Sequence, residues 1–294
     1  QDGTNVVEAA DFSTSYTINT LTTTNDAVIN GLTVGKGANA VATNTVLGDD
    51  ALDAAVTGGS NVAVGYQSLT ANTSGASNTA VGRESLSANT TAAQNTATGM
   101  YALRQTTTGG NNVAMGYASL ITNTTGVGNV ALGHNSLYAS TTSSNNTALG
   151  TNALVANTTG AANTALGSGA LDTNTTGATN TAVGYLSSFT NLSGTNNVSV
   201  GQRSLYSNTT ADDNVAVGKE SLYANTTGTS NTAVGTNALA ANTTGTNNVA
   251  IGESAALAAT TSTGNVIIGQ DAVKTGTFVG FNNVVIGKLA GEDL

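Results

Sequence analysis

A five-residue phrase organises the chain: a polar asparagine, then Thr or Val, then mostly Ala, then Val, Leu, Ile or Met with Thr98 the one exception, closed by glycine. Residues 61–65 read NVAVG and residues 248–252 read NVAIG. With that glycine as position 0, the alternation of a β-strand sets −3 and −1 on one face and −2 on the other. After the glycine, +3 is Ala or Ser and +4 is usually Leu, as at Leu52, Leu69, Leu86, Leu103, Leu120 and Leu137. The pattern predicts two short strands per unit. A glycine corner joins them, and a second corner, usually NTTG or NTSG, closes the unit. Glycine supplies positive φ there, and asparagine tolerates it while bonding locally. The larger −1 residue and the +4 leucine are expected to face each other inside a flattened roll. The −2 alanines (Ala63, Ala80, Ala97, Ala114, Ala131, Ala148) then point outward, as a smooth stripe where rods pack side by side.

The phrase keeps strict time. Its glycine falls every 17 residues from Gly48 to Gly269, and a last copy ends at Gly287 after a step of 18. A helical-hairpin repeat needs roughly 33 residues, so this unit is too short for one. It suits one coil of a solenoid. The expected fold is all-β: a parallel β-solenoid or β-roll of 17-residue coils over 35–273. At about 4.8 Å per coil, the stack makes a rod of roughly 70 Å. A single coil cannot bury its own apolar side, but a stack can. Stacked asparagines can continue the pairing as ladders.

The ends depart from the period. Residues 1–34 read as an N-terminal β-rich connector, and LTVGKG at 32–37 reads as a first, shortened coil. Residues 274–294 read as a terminal coil, cap or junction. Gln1 reads as a processed or trimmed end.

Composition narrows the chemistry. The 294 residues include no Cys, Pro or Trp and a single His, with a net charge of −9 that disfavours nucleic acid and anionic membrane as partners. No apolar run approaches the roughly 20 residues of a membrane-spanning helix. Only 8% of residues are charged, which argues against an ordinary enzyme. Catalysis needs a positioned nucleophile, acid–base pair or metal. His134 stands alone in a variable corner and reads as a solvated side chain. Asp49–Asp50 and Asp212–Asp213 read as turn residues, because the glycine-aspartate repeat of calcium β-rolls is missing. No catalytic, cofactor-binding or metal residue is expected.

Variation concentrates at +1, +2 and +5. Seven tyrosines sit there: Tyr66, Tyr117 and Tyr185 at +1, Tyr101 at +2, and Tyr138, Tyr206 and Tyr223 at +5. Arg83, Arg104, Arg203, Lys219, Glu84 and Glu220 join them. A tyrosine ring offers a flat apolar face with a polar tip, suited to a sugar or a neighbouring chain.

The NVAIG and NVAVG phrases resemble the repeat in the heads of trimeric autotransporter adhesins of the Yersinia type. That resemblance implies a left-handed parallel β-roll and a homotrimer. The period here is longer than in that family, with the extra residues in the NTTG corner. The longer phrase, NTAVG…AL…NTTG…N, is similar to repeats of phage tail-fibre proteins, especially those of marine cyanobacterial viruses. Residues 29–52 resemble the entry into such a region, and the likeness covers about 29–291. It implies a structural protein of the virion, the trimeric shaft or head of a tail fibre that supports host attachment. Its partners are then itself, other fibre or baseplate proteins, and a host-surface glycan. The alternative is a bacterial surface adhesin whose roll binds a glycan or matrix surface. A glycan-degrading tailspike would need paired carboxylates in a groove, and the repeat positions rarely carry acids.

Overall fold

The computed structural model describes residues 27–29, 32–275, 278 and 280–291. Most of the expected N-terminal connector therefore lies outside the described residues. Strand β1 (Ala27–Ile29) pairs antiparallel with β2 (Leu32–Gly35), and β2 pairs antiparallel with β3 (Thr45–Leu47). Residues 32–37 thus form no parallel coil, contrary to expectation. They lay a hairpin across the first rung of the stack. A turn of 3-10 helix at Ala38–Ala40 links β2 to β3.

From β3 onward the chain is a parallel β-solenoid with 17-residue coils. Each coil contributes one three-residue strand, ending with β17 (Val284–Ile286). Neighbouring strands pair in parallel with equivalent residues opposed: Thr164 with Thr181, Ala165 with Ala182, Leu166 with Val183. The 18-residue step is absorbed in the turn, since Val266, Ile267 and Ile268 still oppose Val284, Val285 and Ile286.

The strand face is the reverse of that expected. Ala63, Ala80, Ala97, Ala114, Ala131 and Ala148 are all 0% exposed within the single chain, so they form no outer stripe. The −1 and −3 side chains point outward instead, as with Met115 and Leu166. Size explains the reversal. The +4 leucines, from Leu52 to Leu239, fill the interior, and only a small residue fits against each. Ser188 at +4 reaches Ser199 at −2 of the following coil, hydroxyl to hydroxyl at 2.8 Å. Across this same pair of positions volumes compensate: Leu171 with Ala182, Ala256 with Ile267, Val273 with Val285. Close packing demands such complementarity.

The expected second strand does not form. Positions +2 and +4 are left-handed, as at Gln67 (φ 53) and Leu69 (φ 51). Left-handed backbone costs a leucine about 1 kcal/mol. The cost is offset by burial and by hydrogen bonds between coils. Gln67 N donates to Asp49 O in the coil before at 3.0 Å, and Leu69 N donates to Ser85 O in the coil after at 3.0 Å. The alternating curl therefore keeps its amides satisfied along the stack, as buried backbone requires. The glycine at 0 is obligatory for a second reason. At Gly150 (φ 139) a Cβ would lie 2.6 Å from the backbone of Gly167.

Two asparagine ladders run through the stack. At −4, each backbone N–H donates to the Oδ1 of the asparagine one coil before, as Asn163 does to Asn146 at 2.9 Å. This ladder is unbroken from Asn44 to Asn283. From Asn44 to Asn265 these side chains also tie corners together, as Asn163 Nδ2 donates to Gly177 O at 2.8 Å. The second ladder, at +7, runs side chain to side chain, with Asn174 Nδ2 donating to Asn157 Oδ1 at 2.9 Å. It is interrupted at Thr106, Ser140 and Ala259. The buried Oδ1 atoms of Asn89, Asn123 and Asn242, each one coil before an interruption, lack a partner.

Candidate functional site

Two outer surfaces carry the features that the stack does not need for its own folding. The first is the sheet face built from the −1 and −3 columns. Its −1 column is apolar in every strand from β3 to β17 except at Thr98, and Met115, Leu166 and Ile251 are 44%, 43% and 41% exposed. Its −3 column is only Thr and Val. At about 7 Å across two columns and about 70 Å along the axis, the face covers on the order of 500 Å². Its apolar share is the −1 column with the valines of the −3 column, a size at which the largest apolar patch of a single chain often serves an interaction.

The second surface is the segment after the glycine, where the solenoid stacks equivalent positions and so gathers side chains 17 residues apart. Tyr206 and Tyr223 stack at 5.2 Å between ring centroids, and Phe189 continues the column at 5.4 Å from Tyr206. Arg203 lies 5.8 Å from the Tyr206 centroid and 3.6 Å from Glu220. In a second group, Tyr117 stacks on His134 at 5.3 Å and meets Tyr101 edge-on at 5.9 Å. Tyr66 joins this group through Arg83, whose guanidinium lies 5.6 Å from its ring centroid. These distances are those of favourable ring pairs and cation–π contacts. Tyr138 and Tyr185 stand outside both groups, exposed on the flank.

Glu84 is the electrostatic centre of this second group. Its carboxylate accepts from Arg104 at 2.8 Å and from Arg83 at 3.2 Å, with little of its side chain in contact with solvent. A recess of about 400 Å³ opens beside it, lined by Gln67, Thr70, Ser87, Ala88, Gln105, Glu84 and Arg104. Asp172 occupies the coil position directly before Phe189 in the +5 column, and burial pushes its carboxyl above the ordinary value. The two aspartate pairs serve turns, as Asp212 Oδ1 accepts from the backbone N and the hydroxyl of Thr195 at 2.6 and 2.9 Å. Among the described residues no group of three or more metal-ligating side chains converges.

Sequence reading found the tyrosines, arginines and glutamates but missed Phe189 and His134 as members of the columns. Their spacing of 17 from Tyr206 and Tyr117 is the signal that finds them. Gln67 and Gln105 carried no signal, because a recess depends on the small neighbours Thr70 and Ser87.

The architecture places the chain among parallel β-solenoid repeat proteins. No protein-family model matches it, and no curated protein matches it in sequence.

Proposed function

We propose that the chain is a structural fibre protein. Three copies pair their sheet faces into a rod that forms the shaft or head of a viral tail fibre and supports host attachment. The observation that carries this reading is the outward column of Val, Leu, Ile and Met at −1, uninterrupted by charge along the whole stack. A monomer gains nothing by holding that column against water, whereas self-association removes it from solvent at about 25 cal/mol per Å². The uniform repeat supports a scaffold role, since one rung offers the same bonds as the next. The likeness of the repeat to tail-fibre phrases supports the viral setting, with other fibre or baseplate proteins as further partners. Sedimentation equilibrium tests the association: a threefold mass is expected, and a lone monomer at micromolar concentration rejects it. Fibres seen on purified phage particles with antibody against the chain test the setting.

The two aromatic and cationic groups favour a second reading, a bacterial surface adhesin whose flank binds a glycan or matrix surface. Labelling of bacterial cells rather than particles by the same antibody supports that reading over the first.

A further inference from the structure

We propose that Lys219 of one copy pairs with Asp213 of the next, and that this contact sets the register in which the rods lie side by side. The pairing rests on the association of sheet faces proposed above.

The face by itself sets no register. Every rung presents Thr or Val at −3 and, Thr98 excepted, an apolar residue at −1. A slide of one rung, about 4.8 Å, brings like against like again. Register has to come from a feature that is not repeated.

One rung has such a feature. Strand β13 (Val215–Val217) is entered through Asp212 and Asp213 and left through Gly218 and Lys219. These aspartates stand at −6 and −5 and the lysine at +1, so they mark the two edges of the sheet face, roughly 20 Å apart along the strand. From the rung of Gly48 to that of Gly287, no other −6 or −5 position carries a charged residue. The other Lys and Arg residues at +1 are Arg83 and Lys288. Their rungs offer only Ala76 with Ser77 and Phe281 with Asn282 at the opposite edge.

The two edges of the β13 rung are oppositely charged. Lys219 and Arg203 share Glu220 at 4.0 and 3.6 Å, two cations on one carboxylate, and the lysine side chain is 56% exposed. Asp213 is exposed and makes no ion pair among the described residues. Asp212 is the member of the pair that serves the turn, through Thr195. Within one chain the width of the strand keeps Lys219 and Asp213 apart.

Symmetry brings them together between chains. Rotation about an axis parallel to the rods keeps every rung at its own height. A closed ring of three is joined head to tail, with the +1 edge of each copy against the −5 edge of the next. Lys219 then faces Asp213 three times around the ring. After a slide of one rung it faces Asn196 or Ser230, and all three pairs are lost together. Complementary charge at an interface rim discriminates between arrangements more than it adds affinity.

The chain has no cysteine, so engineered pairs report the register of the full-length protein. Thr236→Cys with Ser230→Cys joins neighbouring copies in register. Thr236→Cys with Asn247→Cys joins them only after a slide of one rung. A disulfide spans less than about 7 Å between Cα atoms, so neither pair closes within one chain. Oxidation and non-reducing electrophoresis are expected to show cross-linking through the first pair and little through the second. Lys219→Glu installs a residue that this column already carries at Glu253, and it is expected to raise cross-linking through the second pair at least threefold. Asp213→Asn, matching Asn196 and Asn247, is expected to raise it as well. Lys219→Glu with Asp213→Lys is expected to restore the first pattern. Equal cross-linking through both pairs before any charge is changed, or a pattern that neither single substitution alters, overturns the pairing while sedimentation still gives the threefold mass. A chain that sediments as a monomer overturns the association and the pairing together.

Discussion

Ser188 and Ser199 bond hydroxyl to hydroxyl at 2.8 Å, where the coils on either side set Leu171 against Ala182 and Leu205 against Ala216. Ser187 reinforces the pair, reaching Ser199 at 2.7 Å and Ser204 at 2.9 Å. This buried polar layer separates two apolar clusters, one below Ala182 and one above Leu205. Replacing both partners of a buried hydrogen bond by apolar groups that fit is neutral to stabilising, whereas removing one strands the other. Ser188→Leu with Ser199→Ala is therefore expected to raise the thermal midpoint, by the equivalent of about 1–3 kcal/mol. Ser199→Ala alone is expected to lower it. Circular dichroism melts of the double variant, of Ser199→Ala and of Ser188→Leu complete the cycle.

The gaps in the second asparagine ladder give an independent prediction. Thr106→Asn and Ala259→Asn each supply a donor to an acceptor now unpaired, on Asn89 and Asn242. Each is expected to add about 1 kcal/mol. Asn208→Ala does the opposite. It strips the donor from Asn191 Oδ1, 2.7 Å away, and the acceptor from Asn225. A loss of about 2–3 kcal/mol is expected. Denaturant midpoints measured on all three variants check both directions.

Gly150→Ala combines a disfavoured φ with a backbone contact at 2.6 Å that no rotamer relieves. A loss of about 3 kcal/mol or more is expected, and hydrogen exchange should show the opening centred on the coils around 150 and 167.

The partly buried carboxyl of Asp172 has its pKa raised above 3.8 by burial, so the folded chain binds that proton more tightly than the unfolded chain does. Stability from this group is full below the unfolded value and is lost as pH rises through the raised folded value. Asp172→Asn is expected to raise the melting midpoint at pH 7 and to leave it nearly unchanged at pH 3. Melts at the two pH values decide it.

Association through the sheet face predicts that Leu149→Glu with Leu166→Glu abolishes the higher mass while the chain keeps its circular dichroism spectrum. Both side chains point outward, 36% and 43% exposed. Burying two carboxylates per copy against a partner costs several kcal/mol. Sedimentation at pH 7 reads the outcome.

The period, the parallel pairing and the rung-to-rung asparagines were legible in the sequence, because a strict 17-residue recurrence leaves few alternatives. The direction of the strand face was not. Val, Leu and Ile at −1 are more apolar than Ala at −2, and hydrophobic size alone points them inward. The deciding quantity is the room left by the +4 leucines, a tertiary property. Leucine also disguises the second segment, since it is among the residues least disposed to positive φ. Its neighbour at +2 held the better clue: Asn135, Asn152, Asn237 and Gly169 are residues that favour the left-handed region. The aromatic columns follow from the period once spacing is counted, but the recess follows only from which small residues stand beside them.

The −4 asparagine ladder makes every junction chemically alike: the same amide reaches back to the same oxygen at 2.9–3.1 Å, fourteen times. Length is thereby uncoupled from stability per rung. Recombination that removes or duplicates one whole unit shifts everything beyond it by a single graduation of about 4.8 Å and leaves this ladder continuous. The molecule behaves as a ruler whose marks are written in DNA, and its reach can evolve in discrete increments without redesign.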